Sequence, residues 1–163
     1  MKKILVIGCP GSGKTTFAEK LNKCTGIPLF YLDAIWHKPD RNHITRDEFD
    51  KRISEIFELD KWIIDGHYSR TLERRIQACD TVFVFDLPTD VCLQGATERL
   101  GKNRYDMPWI DTELDPSLKL EIEEFSNKNL PVVYELVEKY KTDKQFIIFK
   151  SRSDADEFID SLA

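Results

Sequence analysis

The sequence contains no apolar run approaching the roughly 18 residues that cross a bilayer, so no membrane-spanning helix is expected. The opening "MKKILVI" pairs two lysines with only about five apolar residues, shorter than a signal-peptide core. A cytoplasmic protein is the expectation. Cysteine pairing is missing too: Cys9, Cys24, Cys79 and Cys92 form no CxxC pair and have no histidine couple nearby. That removes zinc-binding and thioredoxin-like readings and leaves reduced thiols. There is no excess of positive charge. Lys and Arg number 24 against 29 Asp and Glu, a net charge of −5, which opposes broad binding to nucleic acid, and neither a helix-turn-helix nor a zinc-finger pattern is present. No repeat, low-complexity tract or Ser/Gly linker divides the 163 residues. One domain over residues 1–163, monomeric or homodimeric, is expected.

What is present is a globular balance, 41% hydrophobic and 33% charged, arranged in a regular rhythm. Short apolar runs, "KILVI" (3–7), "PLFYL" (28–32), "KWIID" (61–65), "TVFVFDL" (81–87) and "QFIIF" (145–149), are apolar on both faces, as parallel strands covered on both sides are. Helical patterns separate them. Lys14 to Cys24 spaces Phe17, Leu21 and Cys24 along one face; Arg46 to Leu59 does so with Phe49, Ile53, Ile56 and Phe57, behind a "TRDE" capping box. Thr89 is expected to cap a helix over 90–100, and "SDAD" (153–156) the last one. Pro131 should split a helical pattern over 118–140, with Asn129 as the second cap. Five βα units predict a three-layer α/β domain around an open parallel sheet. Two polar segments break the rhythm: a loop after the second strand, about 33–45, and a long insert, about 101–117. Both are positioned to reach the carboxyl edge of the sheet, where ligands of such folds bind.

The most specific motif is "GCPGSGKTT", Gly8, Cys9, Pro10, Gly11, Ser12, Gly13, Lys14, Thr15 and Thr16. It matches GxxxxGK[ST] between a strand and a helix, where backbone N–H groups and the helix N-terminus form an anion site. Lys14 then reaches the β- and γ-phosphates and Thr15 ligates Mg²⁺, which makes ATP and Mg²⁺ the expected cofactors. The alternative is a glycine turn with a surface lysine. A second acidic group near the metal is needed; Asp65, ending "KWIID", is assigned to it, Asp33 to substrate contact, and Asp86 to a turn or cap. A guanine-reading [NT]KxD is absent, since "NKCT" and "NKNL" lack the aspartate. The small size and the polar insert instead suggest a kinase.

The segments "GCPGSGKTT", "YLDAIWHKP", "WIIDGHYSRTLERRIQACDTVFVFDLP" and "RYDMP" resemble the adenylate-kinase-like family known as DNA topology modulation proteins. The resemblance implies the strand order 2-3-1-4-5 of phosphate-loop nucleoside monophosphate kinases and a nucleotide kinase-like site. Two departures from adenylate kinases stand out. "DGHYSR" replaces their DGFPR, so an arginine that grips an acceptor phosphate corresponds to Arg70, one residue late. "LDAIWHKPD" replaces the segment that receives AMP, and an aspartate at that point resembles kinases of the shikimate or gluconate type. The expected acceptor pocket comprises Asp33, Trp36, His37, His67, Tyr68 and Arg70. By resemblance to kinase lids, Arg99 and Arg104 fold over ATP; helix-end complementation is the alternative for Arg99. The "ERR" at 73–75 reads as a solvated helix face, with support of the acceptor site by Arg74 or Arg75 as the alternative. Two functions follow: transfer of the ATP γ-phosphoryl group to a nucleotide, nucleoside or other small acceptor, or a regulatory ATP-binding protein affecting DNA topology.

Overall fold

The computed structural model describes all residues from Met1 to Ala163. Five strands, β1 (Lys3–Gly8), β2 (Leu29–Tyr31), β3 (Trp62–Asp65), β4 (Thr81–Phe85) and β5 (Gln145–Phe149), form one parallel sheet in the order β2-β3-β1-β4-β5. Eight helices connect them: α1 (Lys14–Thr25), α2 (Leu32–Trp36), α3 (Arg46–Phe57), α4 (Ser69–Ala78), α5 (Thr89–Glu98), α6 (Pro116–Lys128), α7 (Leu130–Tyr140) and α8 (Arg152–Ser161). None is long and apolar enough to cross a membrane.

The continuous apolar runs become strands because helices cover both faces of the sheet. Successive side chains of β1 point oppositely. Ile4 and Val6 join a core with Phe17 of α1, Cys92 of α5, Ile122 of α6 and Ile159 of α8. Leu5 and Ile7 join a second core with Phe49 and Ile53 of α3, Ile76 of α4 and Val133 of α7. Phe17 anchors the first core, its ring centroid 4.8, 5.5 and 5.2 Å from those of Phe83, Phe85 and Phe149. Each aromatic of this kind buries on the order of 150–250 Å², which makes the cluster a main source of stability.

Several helix boundaries differ from expectation. The second strand stops at Tyr31, and Leu32, fully buried, starts the short α2, which carries Asp33. The helix after β4 begins at Thr89 itself, with Pro88 in the cap position and no side-chain cap. Its expected end at Leu100 is cut to Glu98. The last helix is capped by Ser151 instead of Ser153, through a reciprocal box with Asp154. Thr45 caps α3 by accepting from the Glu48 amide, while the Glu48 carboxylate pairs with Arg52. The pattern is split as expected: α7 starts at Leu130 with Pro131 in its first turn and Asn129 in the N-cap position, but the Asn129 side chain makes no cap bond and donates to Ser69 Oγ at 3.1 Å instead. The 101–117 insert has no helix until Pro116, whose N-cap is Asp115.

Register fixes what meets at the carboxyl edge. Gly8 lies beside Phe85, and Asp65 lies between Val6 and Tyr31. The loop after β1, the end of β3 and α2 therefore converge.

Candidate functional site

The loop from Gly8 to Thr16 folds around one carbonyl. Cys9 O accepts from the Ser12 amide at 3.3 Å, Ser12 Oγ at 2.7 Å and Lys14 Nζ at 2.8 Å. This holds Lys14 across the loop, with the N-terminus of α1 behind it. Gly11, at φ +79°, lies so close to α5 that an added Cβ would stand 2.1 Å from Cys92 O, and one on Gly95 would stand 2.0 Å from Gly11 O. The closest approach is backbone on backbone, and a Gly95 Cβ would also stand 2.5 Å from Arg152 Nη2. Gly95→Ala should therefore cost about 1–3 kcal/mol and, by displacing Gly11, weaken nucleotide binding; thermal melts with and without an ATP analogue check both.

Thr15 Oγ1 donates to Asp65 Oδ2 at 2.7 Å, joining the start of α1 to the end of β3. Asp65 is buried, and its Oδ1 has no hydrogen-bond partner in the protein. A buried, unsatisfied carboxylate oxygen is costly. Burial raises the Asp65 carboxyl to about 6, against the opposing pull of Lys14 and the Thr15 hydrogen bond. Burial likewise lowers the Lys14 ammonium, partly offset by Asp65. A hydroxyl and an orphaned carboxylate oxygen in this position suit a hard divalent cation. No group of three or more His, Cys, Asp or Glu side chains lies together, so such a cation would draw its other ligands from phosphate and water.

Beside the loop, a cleft of about 310 Å³ is lined by Lys14, Thr16, Lys20, Arg99, Lys102 and Arg152, among others. Its polar, largely cationic wall and its position at the start of α1 suit a polyphosphate. Arg152 was not among the expected residues. It opens α8 and donates Nη2 to Gly11 O at 3.1 Å, bracing the loop. The signal for it was its place just beyond the carboxyl end of β5.

On the other side of Lys14, Tyr68 donates its hydroxyl to Asp33 Oδ1 at 2.6 Å. Burial and the Asp33 charge push the Tyr68 phenol well above its ordinary value, so it remains a donor. Tyr68 precedes α4 in a left-handed conformation at φ +38°, a strained position for a side-chain-bearing residue. The fully buried Arg75 steadies it, donating to the carbonyls of Gly66, His67 and Tyr68 and to Thr71 Oγ1. The solvated face expected of "ERR" holds for Arg74 but not for Arg75, the residue offered with Arg74 as a support of the acceptor site: it points inward because the turn after β3 offers three carbonyls that the helix cannot satisfy.

The remaining expected residues separate into groups. Trp36 stacks on His43 at 4.3 Å and packs edge-on to Phe49, against the second core. His67 packs against Phe125; burial lowers its imidazole to about 3, so it is neutral at physiological pH, and its Nδ1 has no partner. Arg70 is held between α3 and α4 by Asp50, at 3.1 and 2.7 Å. Arg99 lines the cleft, with Nε unpartnered, and Arg104 is clamped on the buried Asp106 at 2.9 and 2.6 Å. In the insert, Trp109 reaches back to the acceptor loop, edge-on to His37 at 5.1 Å and beneath the Arg41 guanidinium at 5.0 Å. Asp86, expected in a turn or as a cap, is neither: it follows β4 and accepts from Tyr134 and Lys150, while Pro88 holds the cap position of α5. Glu121 of α6, exposed at the surface, was not among the expected residues; partial burial raises its carboxyl, with Lys14 opposing and Asp33 adding to the shift.

No protein-family model matches the chain. Over 88 residues it is 31% identical to adenylate kinases of Thermotoga petrophila and Thermotoga maritima, a stretch covering 53% of this chain and 39% of each relative. The match thus spans well under half the length of those enzymes. Among solved structures, shikimate kinase from Acinetobacter baumannii in complex with shikimate aligns with a TM-score of 0.65 at 12% identity, covering 99% of this chain and 90% of that one. Shikimate kinase from Bacteroides thetaiotaomicron aligns with a TM-score of 0.58 at 16% identity, covering 98% and 94%. A gluconokinase from Sinorhizobium meliloti aligns with a TM-score of 0.53 at 16% identity, covering 99% and 89%. The fold is that of the phosphate-loop kinases. At these identities the likeness establishes architecture, including the strand order, and leaves the acceptor to the chemistry of the pocket.

Proposed function

We propose that the chain is a Mg²⁺·ATP-dependent kinase that transfers the γ-phosphoryl group to a hydroxyl of a small acceptor held beside Asp33. The observation that carries this reading is a pair of half-sites facing each other. Lys14, Thr15 and Asp65 stand on one side and the Asp33–Tyr68 pair on the other, near enough for the Asp33 charge to act on both Lys14 and Asp65.

In this reading the amides of Gly8 to Thr16 and the Lys14 ammonium bind the polyphosphate, and Thr15 with Asp65 holds Mg²⁺. The cation, when bound, neutralises phosphate charge and favours attack at phosphorus. Tyr68 fixes Asp33 through Oδ1, leaving Oδ2 without a protein partner to receive the acceptor hydroxyl. As the acceptor O–Pγ bond forms and the bond from Pγ to the bridging oxygen breaks, ADP leaves and the hydroxyl proton passes to Asp33. Arg99 and Arg104 of the lid offset charge on the transferring group. Trp36, His67 and Arg70 border the acceptor. Likeness to the DNA topology modulation proteins belongs to this reading as a family resemblance. A regulatory ATP-binding role on DNA would leave the Asp33–Tyr68 pair without a task, and the net charge of −5 opposes direct contact.

Asp33→Asn should lower kcat by about 10²–10³-fold, while affinity for a non-hydrolysable ATP analogue stays nearly unchanged. ADP release measured across nucleosides, nucleoside monophosphates, sugars and polyols checks the reading. If no acceptor raises it above the Lys14→Ala background, the kinase assignment fails.

A further inference from the structure

Resting on the kinase reading, we infer that the phosphoryl donor is recognised through its polyphosphate and the flat face of its base, which lies on the Arg152 guanidinium, so that ATP, GTP, CTP and UTP all serve. The cleft beside the phosphate loop has little with which to read the edge of a base. Its lining holds no Asn or Gln, the amides whose paired donor and acceptor match the edge of adenine. Its two aromatic residues, Phe17 and Phe85, are buried with their rings in the first core. The carboxylates at its rim, Glu98 and Asp156, are exposed, so a base amino group that meets one gives up a comparable hydrogen bond to water. The loop after β5 is closed on itself. The amides of Lys150 and Ser151 donate to Asp154 Oδ2 at 2.9 and 3.0 Å, and the Asp154 amide donates to Ser151 Oγ at 3.1 Å.

What the cleft does present is Arg152. From the first position of α8 its side chain reaches across to α5, where Nη2 donates to Gly11 O at 3.1 Å. Two glycines leave room for it: a Cβ on Gly95 would stand 2.5 Å from Nη2, and one on Gly13 would touch Nε at 3.7 Å. The planar group is thereby pinned against the loop that takes the phosphates, yet the residue stays exposed and lines the cleft. A guanidinium attracts the face of an aromatic ring, and every base has such a face. Recognition of this kind tolerates a change of base, because the atoms that differ between bases lie at their edges.

The test titrates the full-length protein, with Mg²⁺, against non-hydrolysable analogues of ATP, GTP, CTP and UTP and against inorganic tripolyphosphate, by calorimetry. The expected Kd values of the four analogues lie within about tenfold of one another. Arg152→Ala should weaken all four by about fivefold or more. Arg152→Lys, which keeps a cation beside the loop but loses the plane, should weaken the four by a similar factor while tripolyphosphate binds as it does to the wild type; thermal melts check that both variants fold. A spread beyond tenfold among the wild-type affinities overturns the inference. So does a loss in Arg152→Lys that is as large for tripolyphosphate as for the analogues, which would leave Arg152 a brace of the loop, or unchanged analogue binding in both variants. If no analogue binds the wild type, the kinase reading fails and this inference with it.

Discussion

Lys14→Ala is expected to lower kcat/KM for phosphoryl transfer by about 10³-fold or more, the largest single effect in the molecule. Two losses combine. The ammonium that would meet the β- and γ-phosphates disappears, and so does the positive charge that holds Asp65 ionised against its burial. The Asp65 carboxyl then rises further, so protons compete more strongly with a divalent cation at the pH of assay. Lys14→Arg separates the terms, because it keeps the charge but cannot reproduce the compact ammonium that donates to Cys9 O at 2.8 Å. A loss of similar size in both variants would assign the effect to geometry. A loss confined to alanine would assign it to charge. Single-turnover rates together with ATP-analogue titrations distinguish transfer from binding.

Asp65→Asn should have opposite effects on stability and on function. The folded carboxyl titrates near 6, above its ordinary 3.8, so the native state binds more protons than the unfolded chain between those pH values. Stability from this group therefore falls as pH rises from about 4 to about 6, and the deficit persists at neutral pH. The neutral amide removes that deficit, worth about 3 kcal/mol, while keeping an acceptor for the Thr15 hydroxyl. The nucleotide-free variant should melt several degrees higher at pH 7.5 and lose this part of the acid-side pH dependence. Its Mg²⁺-dependent gain in ATP affinity should collapse, whereas in the wild type that gain fades as pH falls below 6. Calorimetric melts from pH 4.5 to 8, with and without Mg²⁺ and nucleotide, would show either pattern. A variant less stable than wild type at pH 7.5 would contradict the account of Asp65 as a strained, ligand-seeking carboxylate.

The sheet was legible because burial on both faces leaves its mark in the chain: "ILVI" and "VFVF" have no polar alternation to confuse with an exposed strand. Lys14 and Thr15 were legible because the phosphate loop is local, all its parts within nine residues of one another in Gly8–Thr16. The Thr15–Asp65 bond was approachable for a different reason, since an aspartate ending a strand next to β1 has few places to go. Arg75 was only half legible: "LERR" offered Arg74 or Arg75 as a support of the acceptor site, but periodicity separates an apolar face from a polar one and does not say which polar residue meets a loop. The carbonyls of the turn after β3 turn Arg75 inward. Arg70 shows the same limit from the other side: the motif supplies an arginine, but its partner Asp50 comes from α3, distant in sequence.

The contact of Trp109 with His37 and Arg41 bears on the order of events in a catalytic cycle. It joins the 101–117 insert to the loop over 33–45. On the proposed kinase reading, a ligand that holds one of the two segments closed would lower the cost of closing the other, and by reciprocity each substrate would strengthen the grip on its companion. Trp109, sandwiched between an imidazole edge and a guanidinium, would change its fluorescence as the latch opens, giving the protein an internal gauge of that synergy.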